Sequence, residues 1–148
     1  MPASTPPGPT SAATTGARDG VVIVLQRGQR FLVGCRAEHK PAGGYWTQVS
    51  GKVEAGESEP DTVAREAMEE IGCRVVARRK LRQGTSQNGE FRLHYWQADI
   101  LEGEPLLCND ELTALRWVTV EELRRMTPVF QEDIDLFEML IGSECNHG

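Results

Sequence analysis

Apolar and polar positions along this chain fall into alternating stretches of strand-like and helix-like spacing. Val21 to Gln26 and Arg30 to Arg36 are apolar-rich segments on either side of Arg27-Gly28-Gln29, a pattern that predicts a β-hairpin. Pro41-Ala42-Gly43-Gly44 predicts a loop, followed by a short extended piece from Tyr45 to Val49. From about Glu59 to Ile71 the spacing becomes helical. Cys73 to Arg82 opens with a β-branched pair and ends strongly basic, as a strand with an exposed end does. Asn88-Gly89 predicts a type I′ hairpin turn. Phe91 to Leu101 then alternates as a strand, and Leu115 to Val118 predicts a short one. Thr119-Val120-Glu121-Glu122 has the form of a capping box and opens a helix. Pro128 precedes a last amphipathic helix at about Gln131 to Ile141, in which Ile134, Phe137, Met139, Leu140 and Ile141 are apolar. Strands before, between and after the helices predict an α/β fold, a mixed sheet covered on both faces.

The helix at 59–71 has readable ends. Ser58 serves as N-cap with Asp61 three residues on, Pro60 sits in the first turn, and Gly72 is the left-handed C-cap. On a wheel of about 100° per residue, Val63, Ala64, Ala67, Met68 and Ile71 form the expected core arc. Glu66, Glu69 and Glu70 form a second arc, expected on the opposite side, with Arg65 at its edge. The i,i+3 and i,i+4 pairs among these glutamates repel by about a few tenths of a kcal/mol each. The stretch holds no lysine to relieve them. A divalent magnesium ion, which takes hard oxygen ligands, turns that repulsion into attraction.

Composition narrows the class. The chain has 148 residues, one domain's worth. Residues 1–19 are rich in Pro, Ser, Thr, Ala and Gly, and are expected to be a disordered tail, leaving 20–148 as the folded domain. The tail has neither the apolar stretch of a signal peptide nor the repeated arginines of a transit peptide, and no run approaches a membrane span. A net charge of −6 argues against a nucleic-acid partner and leaves small anionic substrates, since a bound metal inverts the local field. Cys35, Cys73, Cys108 and Cys145 form no Cys-x-x-Cys pair, and His39, His94 and His147 are scattered. Zinc is not expected, and free thiols in a reducing cytoplasm are.

Gly51, Glu57, Arg65, Glu66, Ala67, Glu69, Glu70, Gly72 and Cys73 together fit one spaced pattern of 23 residues. This pattern resembles the box of the Nudix family: Gly, five residues, Glu, seven residues, Arg-Glu, an apolar residue, any residue, Glu-Glu, any residue, Gly and an apolar residue. The resemblance implies an α/β/α sandwich with a mixed central sheet. It further implies that Glu66, Glu69 and Glu70, with the Gly51 carbonyl, hold magnesium or, in its place, manganese. Glu57 and Arg65 are implied as the pair that fixes the loop against the helix. The residue that activates water varies in the family, and Glu66 and Glu111 both stand as candidates.

Outside the box, Arg36 and Lys52 are candidates for substrate phosphate, and Lys40 is expected in solvent. Trp46 either offers a stacking surface for a base or packs the core. Trp96 and Trp117 are expected in the core, and Tyr95 and Phe130 are candidates for facing a cleft. The run Trp46-Thr47-Gln48-Val49-Ser50-Gly51-Lys52 is similar to the dihydroneopterin triphosphate and deoxynucleoside triphosphate branches of the family. The expected reaction is therefore hydrolysis of a nucleoside diphosphate linked to another moiety, first among them a nucleoside triphosphate cleaved to monophosphate and pyrophosphate. Nucleotide sugars, ADP-ribose, dinucleoside polyphosphates and capped RNA ends are alternative substrates, and a nucleotide-binding sensor is the non-catalytic alternative. Monomer and homodimer both stand, the long strand at 91–101 offering an edge for pairing between copies.

Overall fold

The computed structural model describes residues 18–147. Seven strands and three helices follow in the order β1 (Arg18–Arg27), β2 (Arg30–Arg36), β3 (Trp46–Thr47), β4 (Val49–Lys52), α1 (Glu59–Ile71), β5 (Arg74–Thr85), β6 (Phe91–Glu102), β7 (Leu112–Val118), α2 (Val120–Arg124) and α3 (Gln131–His147). The sheet runs β3-β2-β1-β6-β5, with β4 beside β1 and β7 beside β2. The β1–β6 pair is parallel, and the other named pairs are antiparallel, so the sheet is mixed.

Strand β1 shows why two helical layers form. Its run Val21-Val22-Ile23-Val24-Leu25 is buried throughout. Val21, Ile23 and Leu25 pack with Val63, Ala67 and Ile71 of α1, together with Val49, Val75 and Ala98. Val22 and Val24 pack on the other side with Ile134, Leu136, Phe137 and Leu140 of α3. Phe31 of β2 stacks on Phe137 with ring centroids 4.0 Å apart. Period-two alternation thus feeds two cores from one strand, and the result is an α/β/α sandwich.

The structure corrects several sequence readings. Residues 1–17 of the expected tail lie outside the described residues, while Arg18 and Asp19 already belong to β1. Asp19 there accepts from Arg92 (3.0 and 3.1 Å) and lies 2.9 Å from His94 Nε2. The turn at Asn88-Gly89 is not type I′. Gly89 N–H donates to Ser86 O, and only Gly89 of the pair has positive φ (77°), whereas type I′ needs two such residues. Strand β7 starts at Leu112, three residues before the expected Leu115. Met68 (49% exposed) and Met139 (54% exposed) leave the core faces assigned to them. Strand β6 has both edges occupied, by β1 and β5, so it cannot pair across a dimer. The outer strand on that side is β5, and its ladder to β6 is interrupted at Arg74/Val75, Ala77/Arg79 and Lys80/Arg82.

Candidate active site

Helix α1 is fixed at both ends as its sequence requires. Ser58 Oγ accepts from Asp61 N–H at 3.2 Å, and Gly72 takes the left-handed conformation (φ 69°). Its buried residues form two adjacent i,i+4 rows, Val63-Ala67-Ile71 and Thr62-Glu66-Glu70. The acidic face is therefore not opposite the core but flanks it. Glu66 and Glu70 are only 8% and 4% exposed, while the Glu69 side chain is half-exposed.

Glu66 lies against the end of β4. A β-carbon at Gly51 would stand 1.9 Å from Glu66 Cδ, so only glycine lets the carboxylate approach this close. Arg65 ties the loop to the helix. Its Nε and Nη2 donate to Glu57 at 2.7 and 3.0 Å, and Nη2 also donates to the Lys52 carbonyl at 2.8 Å. Nη1 reaches Glu66 at 2.9 Å and Glu69 at 3.2 Å, contacts the motif alone did not reveal. Glu57 also accepts from Thr62 Oγ1 (2.7 Å) and Glu54 N–H (3.1 Å). Those bonds, led by Arg65, hold the Glu57 carboxyl down at about 2, and Glu57 in turn raises Arg65.

The opposite shift appears one turn away. Burial raises Glu66 against the lowering effect of Arg65. Burial first, and then the charge of Glu111, push Glu70 up to about 7. Among the described residues no basic side chain pairs with Glu70, and Asn109 is the group that relieves it. Asn109 also donates to the Glu69 carbonyl (3.3 Å) and accepts from Glu111 N–H (3.0 Å), which sets the loop carrying Glu111 against α1. Cys108 N–H reinforces this through the Glu70 carbonyl (3.2 Å), and Ala37 N–H through the Glu111 carbonyl (2.9 Å). Sequence reasoning missed Asn109, whose signal was its place two residues before Glu111.

These residues fit a divalent cation by chemistry. They are hard oxygen donors, of which Glu66 and Glu70 are raised by burial first, beside a glycine that keeps its side clear. Among the described residues no three acidic, histidine or cysteine side chains already surround one point, because Arg65 draws Glu66 and Glu69 to itself.

The phosphate and base candidates separate. Lys52 is exposed at the end of β4, beside Gly51. Arg36 ends β2 and donates from Nε to the Pro41 carbonyl (2.8 Å), so one donor is committed to the loop. Lys40 comes within 3.8 Å of Glu111. Trp46 packs against the α3-side core, under Arg116 at 5.9 Å, which favours its packing role. Tyr95 is buried, and Phe130 stacks on Tyr45 at 4.4 Å. Trp96 and Trp117 are half-buried against the α1-side core, Trp96 donating to Glu59 (2.8 Å). A buried cluster missed by the sequence joins α3 to β3: Thr47 Oγ1 donates to Asp133 (2.8 Å), and the Gln48 amide nitrogen faces both Asp133 oxygens at 3.1 Å.

A mixed sheet between helical layers, with an acidic helix packed on the Gly51 backbone of β4, defines a carboxylate-rich α/β/α sandwich. The NUDIX domain profile matches residues 16–140. The chain belongs to the Nudix family. It is 35% identical over 106 residues to the putative 8-oxo-dGTP diphosphatase 2 of Mycobacterium tuberculosis, covering 70% of this chain and 74% of that protein. It is 32% identical over 111 residues to the NAD-capped RNA hydrolase NudC of Klebsiella pneumoniae, covering 73% of this chain. The chain spans about two fifths (41%) of that relative's length. The fold matches the crystal structure of the MutT protein from Methanosarcina mazei Go1 with a TM-score of 0.74, at 23% identity, over 90% of this chain and 99% of that one.

Proposed function

We propose that this chain hydrolyses the phosphoanhydride of a nucleoside diphosphate linked to another moiety, with a nucleoside triphosphate cleaved to monophosphate and pyrophosphate as its substrate. The observation that carries the reading is the pair of buried glutamates, Glu66 and Glu70, pressed between the Gly51 backbone and Glu111 with no cation on Glu70. Family membership and the likeness to a diphosphatase support it.

Glu66, Glu69, Glu70 and the Gly51 carbonyl would hold magnesium, or manganese in its place. When bound, the ion supplies neutralisation of phosphate charge and a lowered pKa for water. Arg65 and Glu57 keep the loop on the helix, a positioning task that leaves them clear of substrate. Lys52, as a point charge, and Arg36, through the guanidinium donors left beside its bond to Pro41, would meet the phosphates. Glu111 accepts the proton of the attacking water. Glu66 is held by Arg65 at 2.9 Å, whereas the cation nearest Glu111 is Lys40 at 3.8 Å, which leaves Glu111 the freer base. General-base help of this kind contributes about 10²–10⁴ in rate.

The test pairs manganese binding with turnover. Glu111→Gln is expected to bind manganese as the wild type does while losing about 10²–10⁴ in kcat, and Glu66→Gln to lose both. Wild-type turnover in Glu111→Gln moves the base to Glu66, and absence of product from every nucleotide ends the hydrolase reading. The likeness to NudC favours a second substrate class, a dinucleotide or capped end. Pyrophosphate release separates the two, because only triphosphate cleavage yields it. No helix among the described residues is long and apolar enough to cross a membrane.

A further inference from the structure

Helix α1 ends in carbonyls that no later turn of the helix can satisfy. Those of Ala67 and Met68 accept from Cys73 and Gly72 N–H. The next three are met by the segment that leads into β7. Ile71 O accepts from Leu106 N–H (3.1 Å), and Glu70 O from Cys108 N–H (3.2 Å). The Glu69 carbonyl accepts instead from a side chain, Asn109 Nδ2 at 3.3 Å. Backbone bonds at 106 and 108, and then one carboxamide at 109, lay this loop along the end of the acidic helix.

Asn109 does more than close the helix. A carboxamide has one acceptor and two donors. Oδ1 accepts from Glu111 N–H at 3.0 Å, Nδ2 reaches the Glu69 carbonyl, and the amide also bonds the Glu70 side chain. One planar group therefore touches the peptide of Glu111 and two consecutive residues of α1. The other side of Glu111 is tied to the end of β2, where Ala37 N–H donates to Glu111 O at 2.9 Å. Leu112, the next residue, is buried over Gly34, where a β-carbon would meet its two methyls at 3.0 and 3.1 Å. Glu111 is thus held through its carbonyl to the sheet and through its N–H to the helix, with its carboxylate beside Glu70.

We propose that Asn109 is a positioning residue, whose carboxamide fixes the Glu111 carboxylate against the acidic face of α1 so that the base stands where water is activated. This rests on the reading of Glu111 as base given above. Removing the Asn109 side chain leaves the backbone bonds of Leu106, Cys108 and Ala37 in place. The fold is then kept while Glu111 loses the bond on its N–H side. A reacting group displaced by about 1 Å costs on the order of 10²-fold in rate.

A double-mutant cycle in kcat on the full chain tests this. Pyrophosphate release is followed at saturating magnesium, from whichever of the four deoxynucleoside triphosphates the wild type turns over fastest. Asn109→Ala is expected to lower kcat about 10- to 100-fold with KM within about twofold. Asn109→Ser, which keeps an acceptor for the Glu111 N–H, is expected to recover part of that loss. In the Glu111→Gln background, which alone loses about 10²–10⁴, Asn109→Ala is expected to cost less than about twofold more. Equal losses in both backgrounds, as a folding defect or a weakened metal site gives, overturn the positioning role alone, and so does wild-type kcat in Asn109→Ala. Amide exchange adds a readout that needs no turnover. Asn109→Ala is expected to speed exchange at Glu111 about tenfold while Leu106 and Cys108 keep their protection, and unchanged exchange at Glu111 also overturns the proposal. Wild-type turnover in Glu111→Gln brings down the base assignment and this proposal together, and absence of product from the wild type brings down the hydrolase reading with both.

Discussion

Glu70→Gln in metal-free protein measures what burial and repulsion together cost the Glu70 carboxylate. Glu70 moves from an ordinary 4.5 to about 7, driven by burial and then by Glu111. The folded state therefore binds more protons than the unfolded state across that window, and stability falls as pH rises from 4.5 to 7. At about 1.4 kcal/mol per pH unit, the full cost approaches roughly 3 kcal/mol above pH 7. Glutamine keeps the shape and carries no charge. After chelation, Glu70→Gln is expected to be more stable than wild type by about 2–3 kcal/mol at pH 8, with the gap closing below pH 5. Urea denaturation at several pH values reads this directly. Manganese should then reverse the order, raising the wild type and leaving the variant little changed. Equal stability at pH 8, or manganese stabilising both alike, refutes the account of crowded carboxylates awaiting a cation.

Two further variants test separate parts of the structure. Gly51→Ala sets a methyl 1.9 Å from Glu66 Cδ, and is expected to cost about 1–3 kcal/mol in urea denaturation and to lower manganese affinity in titration. Asp133, raised by burial from 3.8 to about 6, destabilises the fold as pH rises through that range. Asp133→Asn is expected to gain on wild type by up to roughly 3 kcal/mol between pH 4 and 6.5, and parallel denaturation curves would contradict this.

The box was legible because its residues are local: spacing along one helix and one loop fixes Glu57, Arg65, Glu66, Glu69 and Glu70 without knowledge of the rest. The hairpin of β1 and β2, helix α1 and the capping box at Thr119 were legible for the same reason, and Thr119 indeed exchanges bonds with Glu122. What failed was what tertiary packing decides. The wheel put the glutamates opposite the core, but Glu66 and Glu70 share its flank, Glu66 against the Gly51 backbone of β4, which makes room for it. Met68 and Met139 have apolar side chains at core-compatible angles, yet each stays about half exposed. Asp133 became visible only when packing brought α3 onto β3, since it has no motif around it.

The three interruptions along β5 have a consequence for behaviour in concentrated solution. An outer strand of twelve residues is a template on which a second chain can extend the sheet. Here the two extra residues of β5, Arg78 and Leu81, kink that template, and Arg74, Arg78, Arg79 and Lys80 project charge from it. Straightening it by deletion, or swapping those cations for valine, would turn a guarded border into a nucleus for fibrous aggregation.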